Sequence, residues 1–103
     1  MPTIVVNKPG VPQLEPNSWE ASLLGSIGST HIRHRRVCAK STNLHKHPDA
    51  DEAFFMLRGE MVLEVEGKSY TLRSGDFAMV KAGEEHRTIV PDMVELIVID
   101  NIE

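Results

Sequence analysis

Cysteine is nearly absent from this chain. Cys38 is the one cysteine in 103 residues, so no disulfide can form within it. Also missing is any apolar run near the ~20 residues that a membrane-crossing helix needs. The N-terminus lacks the basic-then-apolar pattern of a signal peptide. With one cysteine and no export signal, the expected compartment is the reducing cytoplasm. There is no internal repeat, no low-complexity segment, no glycine-rich phosphate loop and no Ser-His-Asp arrangement. The net charge of −4 argues against nucleic acid as the main partner. Neither nucleic acid nor a membrane is expected as a partner.

What is present suits one domain with a modest core. The charge is unevenly spread. Residues 31–46 hold five Lys or Arg and no acid, whereas the rest of the chain after Lys46 holds thirteen acids against five bases. Two readings stay open. One is a basic sheet edge facing an acidic partner strand; the other is an attraction for anionic ligands.

From Met1 to about Gly28 the chain reads as irregular. Thr3–Val6 is a short β-prone run, cut off by Asn7, Pro9, Gly10 and Pro12. Trp19–Leu24 is one helical turn or a short strand, and its length leaves periodicity unable to decide. From His31 onward the pattern predicts strands over 31–38, 42–47, 52–57, 60–66, 68–72, 77–80, 86–90 and 94–99. A turn is expected at Ala39-Lys40-Ser41, a hairpin turn at Gly67-Lys68 and a break at Pro91-Asp92. Many short strands at such spacing indicate a sandwich or barrel.

Four residues carry the chemistry. His45 and His47 are two apart, so on a strand their rings leave the same face, roughly 7 Å apart. Pro48 and Asp49 mark a turn, after which a partner strand starting at Glu52 brings a carboxylate beside them. His86, in a Gly-Glu-Glu-His turn, is the fourth. Three imidazoles and one carboxylate suit a divalent transition metal.

The spacing His45-x-His47, four residues, Glu52, six residues, Gly59 resembles the first motif of the cupin superfamily. The stretch Gly75-Asp76-Phe77-Ala78-Met79-Val80-Lys81-Ala82-Gly83-Glu84-Glu85-His86 resembles the second. Lys81 stands where a proline is usual, Val90 where an asparagine is often found, and Ala39 where a glycine often opens the first motif. The resemblance covers the chain from near His31 onward and implies an all-β jelly-roll barrel over residues 31–103; residues 1–30 are expected to form an arm packing on the barrel or on a partner subunit. It implies that His45, His47, Glu52 and His86 bind one divalent metal: iron, manganese, nickel, zinc or copper. It suggests oxygenase, isomerase, epimerase or decarboxylase chemistry on a small oxygen-rich or carboxylate substrate. The alternative is a non-catalytic module that senses a small molecule or metal.

On the strand 31–38 the even face has slightly more apolar character and is assigned inward. His34 and Arg36 are then expected to contact a bound small molecule, with Phe54, Met61, Tyr70 and Met79 as cavity walls. Asp51 is expected in solvent, facing away from Glu52. Cys38 is expected to be a small packing residue. A run apolar on both faces, Val94–Ile99, together with the unpartnered Thr3–Val6, predicts a homodimer.

Overall fold

The last strand organises the fold. The structure is a computed structural model describing residues 14–102. It contains β1 (Ser18–Ile27), β2 (Thr30–Ser41), β3 (Glu52–Arg58), β4 (Met61–Val65), β5 (Lys68–Leu72), β6 (Phe77–Val80) and β7 (His86–Asp100), and no helix among the described residues. Every pairing is antiparallel. The order runs β1-β2-β7-β3-β6, while β7 also pairs with β4, which carries β5. Fifteen residues of β7 thus serve three neighbours. Its C-terminal half lies between β2 and β3, and its first residues turn to meet β4. That bend curls the sheet around its own apolar face. The hydrogen-bonded ring does not close.

Register fixes which side chains share the inner face, because directly paired residues point the same way. Val94, Leu96 and Val98 of β7 are fully buried there, with Phe54 and Met56 of β3, Met61 and Leu63 of β4, and Val80 of β6. Paired with β7 on this face are Arg33, Arg35 and Val37 of β2, opposite Val98, Leu96 and Val94. The even residues Ile32, His34, Arg36 and Cys38 pair with Ile99, Ile97, Glu95 and Met93, on the outer face. The inward assignment of the even face is therefore reversed.

Other expectations are corrected too. Residues 18–27, expected to lie in an irregular arm, form a regular strand along β2, which settles Trp19–Leu24 as strand. Residues 42–47 form no strand; His45 makes only an isolated bridge. The expected turn at residues 39–41 is instead a bulge inside β2, where Ala39 takes φ 47° and the chain continues to Ser41. The break at Pro91-Asp92 falls inside the unbroken β7, in a stretch that pairs with neither β2 nor β4, so the missing proline N–H costs no ladder bond. The β4–β5 hairpin turns at Glu66-Gly67, one residue earlier than expected, with φ 49° and 78°. Two successive positive φ values are what a tight two-residue hairpin needs. The run Thr3–Val6 lies outside the described residues.

Candidate metal centre

Backbone hydrogen bonds bring the four donors together. His45 and His86 exchange both of their main-chain bonds, N to O at 2.9 and 2.8 Å, so the two residues sit directly opposite each other. Their rings lie 4.3 Å apart, and the His47 ring lies 5.1 Å from His45 and 5.6 Å from His86. The amide of Gly83 donates to the His47 carbonyl at 3.0 Å, tying the turn before His86 to the first histidine pair. Asp51 completes the lacing. It is exposed, as expected, but its carboxylate accepts from the Ala82 amide at 2.8 Å and from Lys81 Nζ at 3.2 Å. The Ala82 bond chiefly holds the Asp51 carboxyl below the ordinary range. Lys81, standing where the resembled motif has proline, thereby anchors the turn with its side chain.

The ligand atoms of His45, His47, Glu52 and His86 all lie within 4.8 Å of one another. Metal–donor bonds of about 2.0–2.2 Å separate the donors of one ion by roughly 3–4 Å, so the cluster is near the required span. Tautomer assignments point the same way. His45 Nδ1 lies 2.7 Å from the Asn43 carbonyl and His86 Nδ1 lies 3.0 Å from the Glu84 carbonyl. A carbonyl only accepts, so each Nδ1 carries a proton and Nε2 is the ring nitrogen left to face the cluster. His86 is 1% exposed, and its Nε2 is buried without a hydrogen-bond partner, 3.3 Å from Glu52 Oε1. A buried, orphaned nitrogen lone pair aimed at two imidazoles and a carboxylate fits a metal ion.

Electrostatics prepare the donors differently. Burial, with the nearby His45 and His86, holds His47 below its ordinary value and so keeps it neutral. Burial pushes the Glu52 carboxyl up from 4.5 to about 6, helped by a hydrogen bond to Asp100 and by that residue's charge, against the pull of His86 and Arg35. Asp100 is itself buried and accepts from Arg33 Nη1 at 2.9 Å. Sequence reasoning missed this carboxylate. The one available signal was an acid ending the apolar run Val94–Ile99.

Beside the cluster lies a cavity of about 300 Å³. Trp19, Val37, Phe54, Met61 and Leu96 form its apolar wall, Thr42 and Thr88 add hydroxyls, and Arg35 and Lys40 supply charge. Phe54 is two residues beyond Glu52 on the inner face of β3, and Thr88 two beyond His86 on β7, so the cavity and the cluster adjoin. Of the expected walls, Phe54 and Met61 are in place. Tyr70, paired with Leu63, is half exposed and does not line the cavity; Met79 lies on the outer face, also half exposed. His34 and Arg36 are outside as well. His34 Nε2 meets Glu95 Oε2 at 2.9 Å, and Arg36 Nε donates to Glu20 Oε1 at 2.6 Å. The arginine that enters the cavity is Arg35.

The comparisons with known proteins agree with this architecture. The family model of the cupin domain matches residues 38–100. The chain belongs to that family, and its curled sheet is a cupin jelly roll. A cupin superfamily protein of Desulfitobacterium hafniense superposes with a TM-score of 0.76 at 18% identity, covering 89% of this chain and 84% of that one. A predicted oxalate decarboxylase of Thermotoga maritima gives 0.72 at 23% identity, covering 80% and 78%. Quercetin 2,3-dioxygenase of Bacillus subtilis is 42% identical over 43 residues, which is 42% of this chain and 13% of that enzyme. The chain spans less than half the length of the curated relatives it matches. No helix among the described residues is long and apolar enough to cross a membrane.

Proposed function

We propose that this chain is a metal-dependent cupin enzyme that acts on a small oxygen-rich or carboxylate substrate in the cavity beside His45, His47, Glu52 and His86. The observation that carries the proposal is the buried, partnerless Nε2 of His86, converging with three other donors where the cavity begins. A divalent transition metal held there would supply Lewis acidity toward a carbonyl or carboxylate oxygen. The chain's own residues do the rest. Asn43 and Glu84 carbonyls fix the orientation of two ligand rings. Burial, reinforced by Asp100, which accepts from Arg33, raises the Glu52 carboxyl. Phe54, Met61 and Leu96 keep water from one side of the substrate.

Oxygenase, decarboxylase and isomerase chemistry are all consistent with such a centre, and similarity to a dioxygenase and to a predicted oxalate decarboxylase supports that range. The proposed setting is the cytoplasm, where the single thiol Cys38 stays reduced. The test is a turnover panel of 2-oxo acids, hydroxy acids and enediols against protein loaded with iron, manganese, nickel, zinc or copper. Turnover that is lost in His86→Ala supports an enzyme. Ligand binding with no turnover in any metal form contradicts it and leaves a binding module.

A further inference from the structure

The basic strand β2 is matched by acids on one set of its residues and left unmatched on another. Arg33 pairs with Asp100 at 2.9 Å, His34 with Glu95 at 2.9 Å and Arg36 with Glu20 at 2.6 Å. For these three, the basic strand does face acidic neighbours. Arg35 and Lys40 differ. Both line the cavity, and neither makes an ion pair among the described residues. No Asp or Glu is among the lining side chains. Arg35 Nε is buried with no hydrogen-bond partner, while the guanidinium lies 5.7 Å from the centre of the Trp19 ring. The bulge at Ala39 lets Lys40, on the far side of it, share the inner face with Arg35 and Val37 by pairing with buried Val90. A buried donor without a partner is left with its desolvation cost unmet, and an anion bound in the cavity would meet it.

We propose that Arg35 and Lys40 bind an anionic group at the far end of the ligand, remote from the end that docks at the metal centre. This rests on the reading of the four-residue cluster as that centre. The ligand class is then a compact molecule with a bidentate oxygen donor at one end, an apolar middle and a second carboxylate or comparable anion at the other. The apolar middle packs between Trp19, Phe54, Met61 and Leu96. The cavity has room for about ten water volumes, which limits the ligand to a small metabolite. Arg35 offers a planar fork of donors matched to a carboxylate, and Lys40 adds a point charge.

Two probes that differ only in the remote group test this: 2-oxopentanoate and 2-oxopentanedioate. Trp19 is the one tryptophan in the chain and lines the cavity, so its fluorescence reports occupancy without any turnover. With manganese-loaded protein the dianion is expected to bind about tenfold tighter than the monoanion. In Arg35→Gln/Lys40→Gln that preference, read as the ratio of the two affinities, falls below about threefold. Lys40→Gln alone, a change at a partly exposed position, lowers the preference part-way and covers the case in which the double variant fails to fold. Equal binding of both probes by the wild type, or a preference that survives Lys40→Gln undiminished, overturns the proposal. The same titrations on metal-free protein separate the two claims. Monoanion binding indifferent to metal counts against the metal centre, whereas the dianion preference and its loss in the variants bear on Arg35 and Lys40.

Discussion

Glu52 on β3 and Asp100 on β7 are directly paired, both buried, and their carboxyl groups share a hydrogen bond. Two carboxylates so placed do not ionise together without cost. Arg33 donates to Asp100 at 2.9 Å, and burial, with the Asp100 contact beside it, pushes the Glu52 carboxyl up to about 6. A carboxyl raised on folding stabilises the metal-free protein below its unfolded value, and that contribution is lost as pH rises through about 6. The loss is on the order of 2 kcal/mol. His47 works in the other direction: held below 6.5, it contributes above that value and loses the contribution as pH falls.

Metal binding needs the Glu52 anion, so affinity should weaken as pH falls through about 6. Asp100→Asn removes the neighbouring charge and is expected to move the midpoint of this loss to lower pH. Competition with a chromophoric chelator, from about pH 5 to 7.5, measures it. An unmoved or higher midpoint would show that Asp100 does not govern Glu52.

A second prediction concerns the backbone. Gly59 has φ 83°, and a Cβ added there would collide with the Met93 carbonyl of β7 and crowd Val94. Gly59→Ala is expected to cost about 2–4 kcal/mol, from the strained conformation and the overlap together. Ala39 is the reverse case, a residue with a Cβ held at φ 47°. Ala39→Gly relieves about 1–2 kcal/mol of left-handed strain, against a larger entropy loss on folding. A net gain of about 0.5 kcal/mol is expected. Urea midpoints of both variants at constant m-value check the pair.

The cluster was legible because its information is local: two histidines, a turn and a glutamate within eight residues, then one glycine-marked turn bearing His86. The cavity was not. On β2 both faces alternate basic residues, Arg33 and Arg35 against His34 and Arg36. Which face turns inward depends on where β7 puts Leu96 and Glu95, information that is absent from β2 itself. A shift of one residue exchanges every side chain between faces, so Arg36 was expected where Arg35 stands. β1 escaped for a related reason. It is an edge strand with no fully buried residue, so it carries no apolar alternation to read. The strand character of 42–47 was over-read: His45 and His47 are held by one bridge and by turn bonds rather than by a ladder.

We propose that two copies of the chain assemble through the outer face. Phe55, Phe77 and Met79 are exposed on the outer face of β3 and β6, beside the part-buried Ile97 and Ile99 of β7. A continuous apolar surface on a small protein supports burial against a partner, and a two-fold homodimer is the commonest arrangement. Light scattering at micromolar concentration should give twice the 11.5 kDa chain mass, and Phe77→Glu should return the mass of one chain. A wild type that runs as a monomer contradicts this.

The central claim is that His45, His47, Glu52 and His86 hold one metal ion. Elemental analysis of the purified protein, with His47→Ala and His86→Ala beside it, tests this most directly. About one divalent transition metal per chain is expected in the wild type. In each variant, affinity should drop at least ~100-fold, with the far-ultraviolet spectrum of a folded β protein retained. Full metal occupancy in both folded variants, or none in the wild type after reconstitution with any of the five metals, would contradict the account.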